Sequence, residues 1–249
     1  MGLEGRVALV TGATGNGMGR SIALTLARDG ADVVLNYRAR HERAGAIVEV
    51  IESMGRTALP CCADVSKPDE VTAMFEDARR RLGHIDIVVN SAGGAWVPQD
   101  ITDIATDHFR SVIADEIEAT FFLLRAALPQ MRERRWGRFV SIGGDMADDW
   151  RFGPPDAPLD YPLGKAARHW LTRTIGRREL PNGVTVNAVA PGPTVYVSLE
   201  DAVAAMRGER PEREGNIPQD AADLVSFLCS DAASRVSGAI IPIPGSRPV

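Results

Sequence analysis

Short apolar runs alternate with longer stretches of helical periodicity along the whole chain. Val7–Val10 ends in Thr11-Gly12-Ala13-Thr14-Gly15-Asn16-Gly17-Met18-Gly19 and restarts with helical spacing through Ala27, which predicts strand, tight loop and helix. Ala31–Asn36, bounded by Gly30, is β-branched and predicts a second strand. A helix is expected from about Arg43 to Met54, a third strand from Arg56 to Cys62 and a helix from about Asp69 to Leu82. Ile85–Val89 is apolar without alternation, as suits a central parallel strand covered on both faces. One long helix is then expected from about Asp107 to Arg134, with Phe121, Phe122, Leu124, Leu128 and Met131 as its apolar face. Gly137–Ile142 reads as the fifth strand, Tyr161–Leu180 as a helix and Val184–Ala190 as the sixth strand. Pro218–Ser230 reads as a helix and Ala239–Ile243 as the last strand. Two stretches lack a pattern: Gly143–Asp160, rich in Gly, Pro and Asp, and Thr194–Asn216. Repeated strand-loop-helix units predict an α/β fold with a doubly wound parallel sheet of about seven strands and helices on both faces. No repeat or linker divides residues 1–249, so a single domain is expected.

Composition narrows the function. With 249 residues, 45% of them hydrophobic and 24% charged, the chain can bury one large core. A net charge of −5 leaves no basic excess for nucleic acid or an anionic membrane surface. No apolar run approaches spanning length and Met1–Arg6 lacks the apolar core of a signal peptide, so the cytoplasm is the expected location. Cys61, Cys62 and Cys229 are odd in number and lack a paired spacing with histidine. They predict buried free thiols, with neither a disulfide framework nor a metal site.

The glycine loop brings in the chemistry. Glycines admit positive φ and let a ligand approach the main chain. Loop N–H groups and the positive end of the following helix face one spot, where a diphosphate is the expected occupant. After the second strand the chain reads Asn36-Tyr37-Arg38-Ala39-Arg40, with Arg43 beyond and no carboxylate before Glu42. An acidic residue there would grip both ribose hydroxyls, whereas a 2′-phosphate needs cations. The expected cofactor is therefore NADP(H) in preference to NAD(H), with Arg38 as the first phosphate partner. Asp64 directly follows the third strand, where a side chain reaches a ligand at the carboxyl edge of the sheet.

Several motifs then fall in a characteristic order: the glycine loop, Asp64-Val65, Asn90-Ser91-Ala92-Gly93, Tyr161-Pro162-Leu163-Gly164-Lys165 and Asn187-Ala188-Val189-Ala190-Pro191-Gly192. Over essentially its whole length the chain resembles the short-chain dehydrogenase/reductase family, in its compact single-domain Rossmann branch of 3-oxoacyl-carrier-protein reductase-like enzymes. The resemblance implies a cofactor site made of Gly12, Thr14, Asn16, Gly17, Met18, Gly19, Tyr37, Arg38, Asp64 and Val65. It adds Asn90, Ala92 and Gly93 as a wall beside the ribose, and Pro191, Gly192 and Thr194 as the turn that holds the carboxamide. Tyr161 would pass a proton to or from the substrate oxygen. Lys165, one helical turn on, would lower the proton affinity of a phenol whose ordinary pKa is about 10 and would hold the nicotinamide ribose. A small-molecule substrate is implied, as is a homodimer or homotetramer built on the long helix and the helix from Tyr161.

Departures from the family pattern sit in the substrate half. The glycine loop is one residue longer than usual, which leaves open whether Asn16 or Gly17 touches phosphate. Gly144 stands where the family has a serine that hydrogen-bonds the substrate carbonyl. Ser141 is in the wrong pleat register to replace it, and Asp145 would have to be protonated to donate. Glu116 stands at the family's active-site asparagine and is a candidate proton relay. The loop from Gly144 to Tyr161 is longer than usual and carries Asp148, Asp149 and Trp150. The reading is an NADPH-dependent reductase or dehydrogenase acting on a carbonyl or alcohol, with Tyr161, Lys165, Glu116 and Asp145 as catalytic candidates. Two alternatives stand beside it: reduction of a conjugated C=C on the same scaffold, and a non-catalytic NADP(H)-binding sensor or scaffold.

Overall fold

The computed structural model describes residues 2–39, 41–94, 97–145, 147, 158–211 and 215–245. Seven strands form its sheet: β1 (Val7–Val10), β2 (Asp32–Tyr37), β3 (Ala58–Cys62), β4 (Ile87–Asn90), β5 (Gly137–Ile142), β6 (Val184–Pro191) and β7 (Ile240–Ile243). Their order is β3-β2-β1-β4-β5-β6-β7 and every pairing is parallel. The chain therefore winds outward from β1 in one direction and from β4 in the other. A crevice opens at the carboxyl ends of these two strands, the point where ligands bind in such sheets.

Eight α-helices connect the strands among the described residues: α1 (Met18–Arg28), α2 (His41–Ser53), α3 (Pro68–Leu82), α4 (Thr106–Ile113), α5 (Ala119–Arg134), α6 (Asp160–Glu179), α7 (Leu199–Met206) and α8 (Pro218–Cys229). Alternation along each strand feeds two cores. Ala8 and Val10 point to one face, where they pack with Ile22 and Leu26 of α1 and Val225 and Leu228 of α8. Leu9, Val34 and Val88 point to the other, against Phe75 of α3 and Leu123 of α5. Burial on both faces explains why Ile85–Val89 carries no polar alternation.

Three expectations are corrected. The long helix is interrupted by a π turn, Ala114–Glu118, between α4 and α5. Such a turn inserts one residue into the helical repeat and is marked by no breaker in Ala-Asp-Glu-Ile-Glu. The buried stripe beyond it runs through Leu123, Leu124, Ala127, Leu128 and Met131, so Phe121 faces outward at 50% exposure instead of joining the apolar face. The stretch Thr194–Asn216 contains α7, capped by the Ser198 hydroxyl, which accepts the Asp201 N–H at 3.0 Å. Of the cysteines only Cys229 is buried, because β3 is an edge strand and leaves Cys61 half-buried and Cys62 exposed. Burial pushes the Cys61 thiol up to about 11 and that of Cys229 to about 12, so neither is a thiolate at neutral pH. No helix of the described residues is long and apolar enough to cross a membrane.

Candidate active site

Thr11 ties the glycine loop to the end of β4. Its Oγ1 accepts the N–H groups of Ser91 and Ala92, each at 2.9 Å. Gly12 has φ +65°, and a Cβ there would lie 3.1 Å from the Ala92 Cα. A Cβ on Gly19 would lie 2.6 Å from the Gly12 oxygen, so α1 starts this close to β1 only with glycine in place. No side chain caps the α1 N-terminus and its first turn holds no carboxylate. Uncapped amides at a positive helix end, beside a glycine-rich loop, fit an anionic diphosphate.

Two clefts lie along the carboxyl edge of the sheet. The first, of about 320 Å³, is lined by Gly12, Thr14, Gly15, Tyr37, Arg38, Asp64, Val65, Ala92, Gly93 and Asp115. The Arg38 guanidinium, 62% exposed, sits 3.3 Å from Asp115 Oδ1 and 3.8 Å from Asp64 Oδ2. Burial holds the Asp115 carboxyl above the usual range. At Asp64 burial is outweighed by the Ser66 hydroxyl and amide and by Arg38, so its carboxyl lies below that range. Arg40 lies outside the described residues.

The second cleft, of about 370 Å³, is lined by Met18, Gly144, Asp145, Tyr161, Lys165, Pro191, Gly192, Thr194 and Tyr196, among others. Asp148, Asp149 and Trp150 lie outside the described residues. Gly144 leaves real space: a Cβ would meet nothing closer than Lys165 Cγ at 3.4 Å. A Cβ on the neighbouring Gly143 would fall 2.0 Å from His169 Nε2. Ser141 is buried in β5 and lines neither cleft, as its register requires.

Most of the expected cofactor residues thus converge on these two clefts, and four do not line them. Gly17 lies under Tyr196, and the exposed Asn16 accepts from Arg43 at 3.1 Å and Arg20 at 3.5 Å. Gly19 is packed against β1, while the buried Asn90 side chain donates to Thr120 Oγ1 at 2.8 Å. Gly19 and Asn90 therefore shape the site from behind.

Helix α6 sets Tyr161 and Lys165 one turn apart, with the Lys165 nitrogen 5.0 Å from the centre of the Tyr161 ring. Asp160 fixes the start of that helix: its Oδ1 accepts the Tyr161 N–H at 2.8 Å and its Oδ2 lies 3.2 Å from His108 Nε2. Lys165 is almost fully buried, donating to the Ile142 carbonyl at 3.3 Å and pairing with Glu116 Oε2 at 3.1 Å. Glu116, in the π turn, has no exposed surface. Its Oε1 accepts the Gly94 N–H at 2.8 Å, and its Oε2 lies 2.7 Å from Arg168 Nε. Arg168, equally buried, donates to the carbonyls of Asn90, Ala92, Asp115 and Ile142.

Sequence reasoning missed Arg168, although its spacing marks it. At seven residues from Tyr161 and three from Lys165 it shares their helix face, and a cation on a buried face needs a counter-charge. The expected lowering of the phenol is also corrected. Burial, then the Glu116 carboxylate, push Tyr161 up to about 12. The Arg168 guanidinium acts in the opposite direction without outweighing them. Burial, then Arg168, bring Lys165 down to about 8, with Glu116 acting against them. Among the described residues no group of three His, Cys, Asp or Glu side chains is placed to hold a metal ion.

The family described as enoyl-(acyl carrier protein) reductase matches residues 12–245. The 3-oxoacyl-(acyl-carrier-protein) reductase FabG of Staphylococcus aureus is 33% identical over 245 residues, covering 96% of each chain. The chain belongs to the short-chain dehydrogenase/reductase family. Among solved structures of this family, a short-chain dehydrogenase from Burkholderia cenocepacia in complex with NADP superimposes with a TM-score of 0.84 at 30% identity, covering 99% of both chains. An NAD+-bound xylitol dehydrogenase, 26% identical, gives a TM-score of 0.85 and covers 99% of this chain and 100% of its own. A short-chain dehydrogenase/reductase built this way is an oxidoreductase of the nicotinamide cofactors, and the seven-stranded doubly wound sheet is its expected fold.

Proposed function

We propose that this chain is an NADP(H)-dependent reductase or dehydrogenase in which Tyr161 is the proton donor and acceptor and Lys165 the assisting cation. The observation that carries this reading is the convergence of the glycine loop, Tyr161 and Lys165 on adjoining clefts at the switch point of the sheet. The glycine loop and the α1 N-terminus would hold the diphosphate, Arg38 the 2′-phosphate, and Pro191, Gly192 and Thr194 the carboxamide. When bound, the nicotinamide supplies or accepts a hydride. With its proton affinity raised, Tyr161 stays a phenol at neutral pH and gives its proton to the substrate oxygen as negative charge develops there. Lys165 contributes positive charge from behind the ring while protonated, so reductive activity should decline above about pH 8, where that amine loses its proton. An initial-rate pH profile checks this; activity undiminished at pH 10 contradicts it.

Asp145 lies at the rim of the same cavity, next to the missing serine. Gly144→Ser tests what the gap does. The space around Gly144 admits the hydroxymethyl group, so the variant should fold and keep or raise turnover of simple ketones. Gly143→Ala, which collides with His169, should lose stability instead. A fall in ketone turnover in Gly144→Ser would favour Asp145, which lines the cavity, as the group that has taken over the serine's task; Glu116 lines neither cleft.

The family description and the absent serine also favour a second reading, reduction of a conjugated C=C, in which Tyr161 polarises the enone oxygen. Identification of the product, saturated ketone or alcohol, separates the two. A binding role without turnover would show as NADPH affinity with no NADPH oxidation.

Assembly follows from the outer faces of α5 and α6. Phe121, Leu163 and Trp170 stand 50%, 44% and 64% exposed there, an apolar surface suited to a second copy of the chain. Light scattering at micromolar concentration should give a dimer or tetramer mass, and a monomer mass contradicts the pairing.

A further inference from the structure

The chain contains two lysines, Lys67 and Lys165, and only the second lies in the site. Its nitrogen and the Arg168 Nε reach the same oxygen, Glu116 Oε2, at 3.1 and 2.7 Å. Both cations and the carboxylate are shut off from water, since none of the three side chains is more than 5% exposed. We infer that Arg168 is a positioning residue: through the shared Glu116 it holds Lys165 in place, and its own charge beside that amine sets how tightly the amine keeps its proton. This rests on the proposed role of Lys165 beside Tyr161 and extends it to two residues that line neither cleft.

Geometry supports a dedicated network. Arg168 spans the carbonyls at the ends of β4 and β5 and of the π turn, so it cannot swing away without opening the carboxyl edge of the sheet. Glu116 fits only because its neighbours lack Cβ atoms. On Gly93 a Cβ would lie 2.3 Å from Glu116 Oε1, and on Gly164 it would lie 2.6 Å from Glu116 Cβ. The carboxylate shared between two cations cannot fully serve either, and the groups around it oppose one another. On α6, Arg168 disfavours a second cation and Tyr161 stays neutral. From the π turn Glu116 favours the cation and Asp115 lies one residue away, facing Arg38. The loop after β5 adds Asp145, and the segment after β6 adds Tyr196. β4 and β5 offer only carbonyls to these cations.

Lysine-selective ¹³C labelling reads the amine directly, because two lysines give two side-chain signals, with Lys67 as the internal reference and Lys165→Arg giving the assignment. Lys165 should titrate near pH 8. Arg168→Gln, which keeps a donor but removes the charge, should raise the Lys165 midpoint by about one pH unit or more, and Glu116→Gln should lower it by a similar amount. An unmoved Lys165 midpoint in Arg168→Gln, or movement in the same direction as Glu116→Gln, overturns the inference. If Arg168→Gln fails to fold alone, it is added to Glu116→Gln: coupling requires a midpoint above that of Glu116→Gln, and an equal midpoint overturns it. The titration needs no turnover, so a chain inactive on every substrate would overturn the proposed reaction while leaving the network's test intact. A protein active as proposed with an unmoved Lys165 would overturn the network alone.

Discussion

Tyr161→Phe should lower reductive turnover roughly 10²–10⁴-fold while leaving NADPH affinity within about threefold. The substitution removes one oxygen and leaves the ring, so the packing against Lys165 remains while the half-buried phenol of the second cleft is lost. Tyr196 lines the same cleft but is 68% exposed, so it is a poor substitute for the half-buried phenol of Tyr161. Stopped-flow absorbance of NADPH with the enzyme in excess measures the chemical step, and a fluorescence titration measures binding. Full turnover in Tyr161→Phe would move the chemistry to the acidic residues.

Arg38→Ala should erase the preference for NADPH over NADH, which the wild type should show at about 1–3 kcal/mol, or roughly 5- to 150-fold in dissociation constant. The guanidinium stands at the cleft beyond β2, where the chain offers no carboxylate before Glu42, but Asp64 and Asp115 of the same cleft already hold it. Exposed pairs of this kind are weak, so an arriving phosphate can recruit Arg38 away from them. The net gain should therefore fall toward the lower end of that range. Paired titrations of wild type and variant with both cofactors check this; equal affinities in the wild type contradict it.

Much of this was legible in the sequence. Strands β1 and β4 are short apolar runs closed by polar residues and glycine, and a parallel sheet buried on both faces leaves that signature. The glycine loop and the Tyr161–Lys165 spacing are local patterns, each set by backbone geometry that few other residues satisfy. What stayed hidden depends on distant residues meeting. The π turn carries no breaker, and Glu116 and Arg168 are 52 positions apart, so each reads alone as an ordinary helix charge. Only their burial on facing elements shows that they form a pair. Cys62 misled for a similar reason: nothing local to Cys61-Cys62 says that β3 is the edge of the sheet. The phenol of Tyr161 was expected to be lowered by a lysine one turn away, and burial, then the Glu116 carboxylate, push it up instead.

The proposed reaction is tested most directly by following NADPH oxidation at pH 7 against a panel of ketones, aldehydes and enones, with product identification and a substrate-free control. The expected result is oxidation of NADPH matched one for one by a reduced product, lost in Tyr161→Phe and slower with NADH. Binding of NADPH without oxidation by any member of the panel, or oxidation unchanged in Tyr161→Phe, would contradict it.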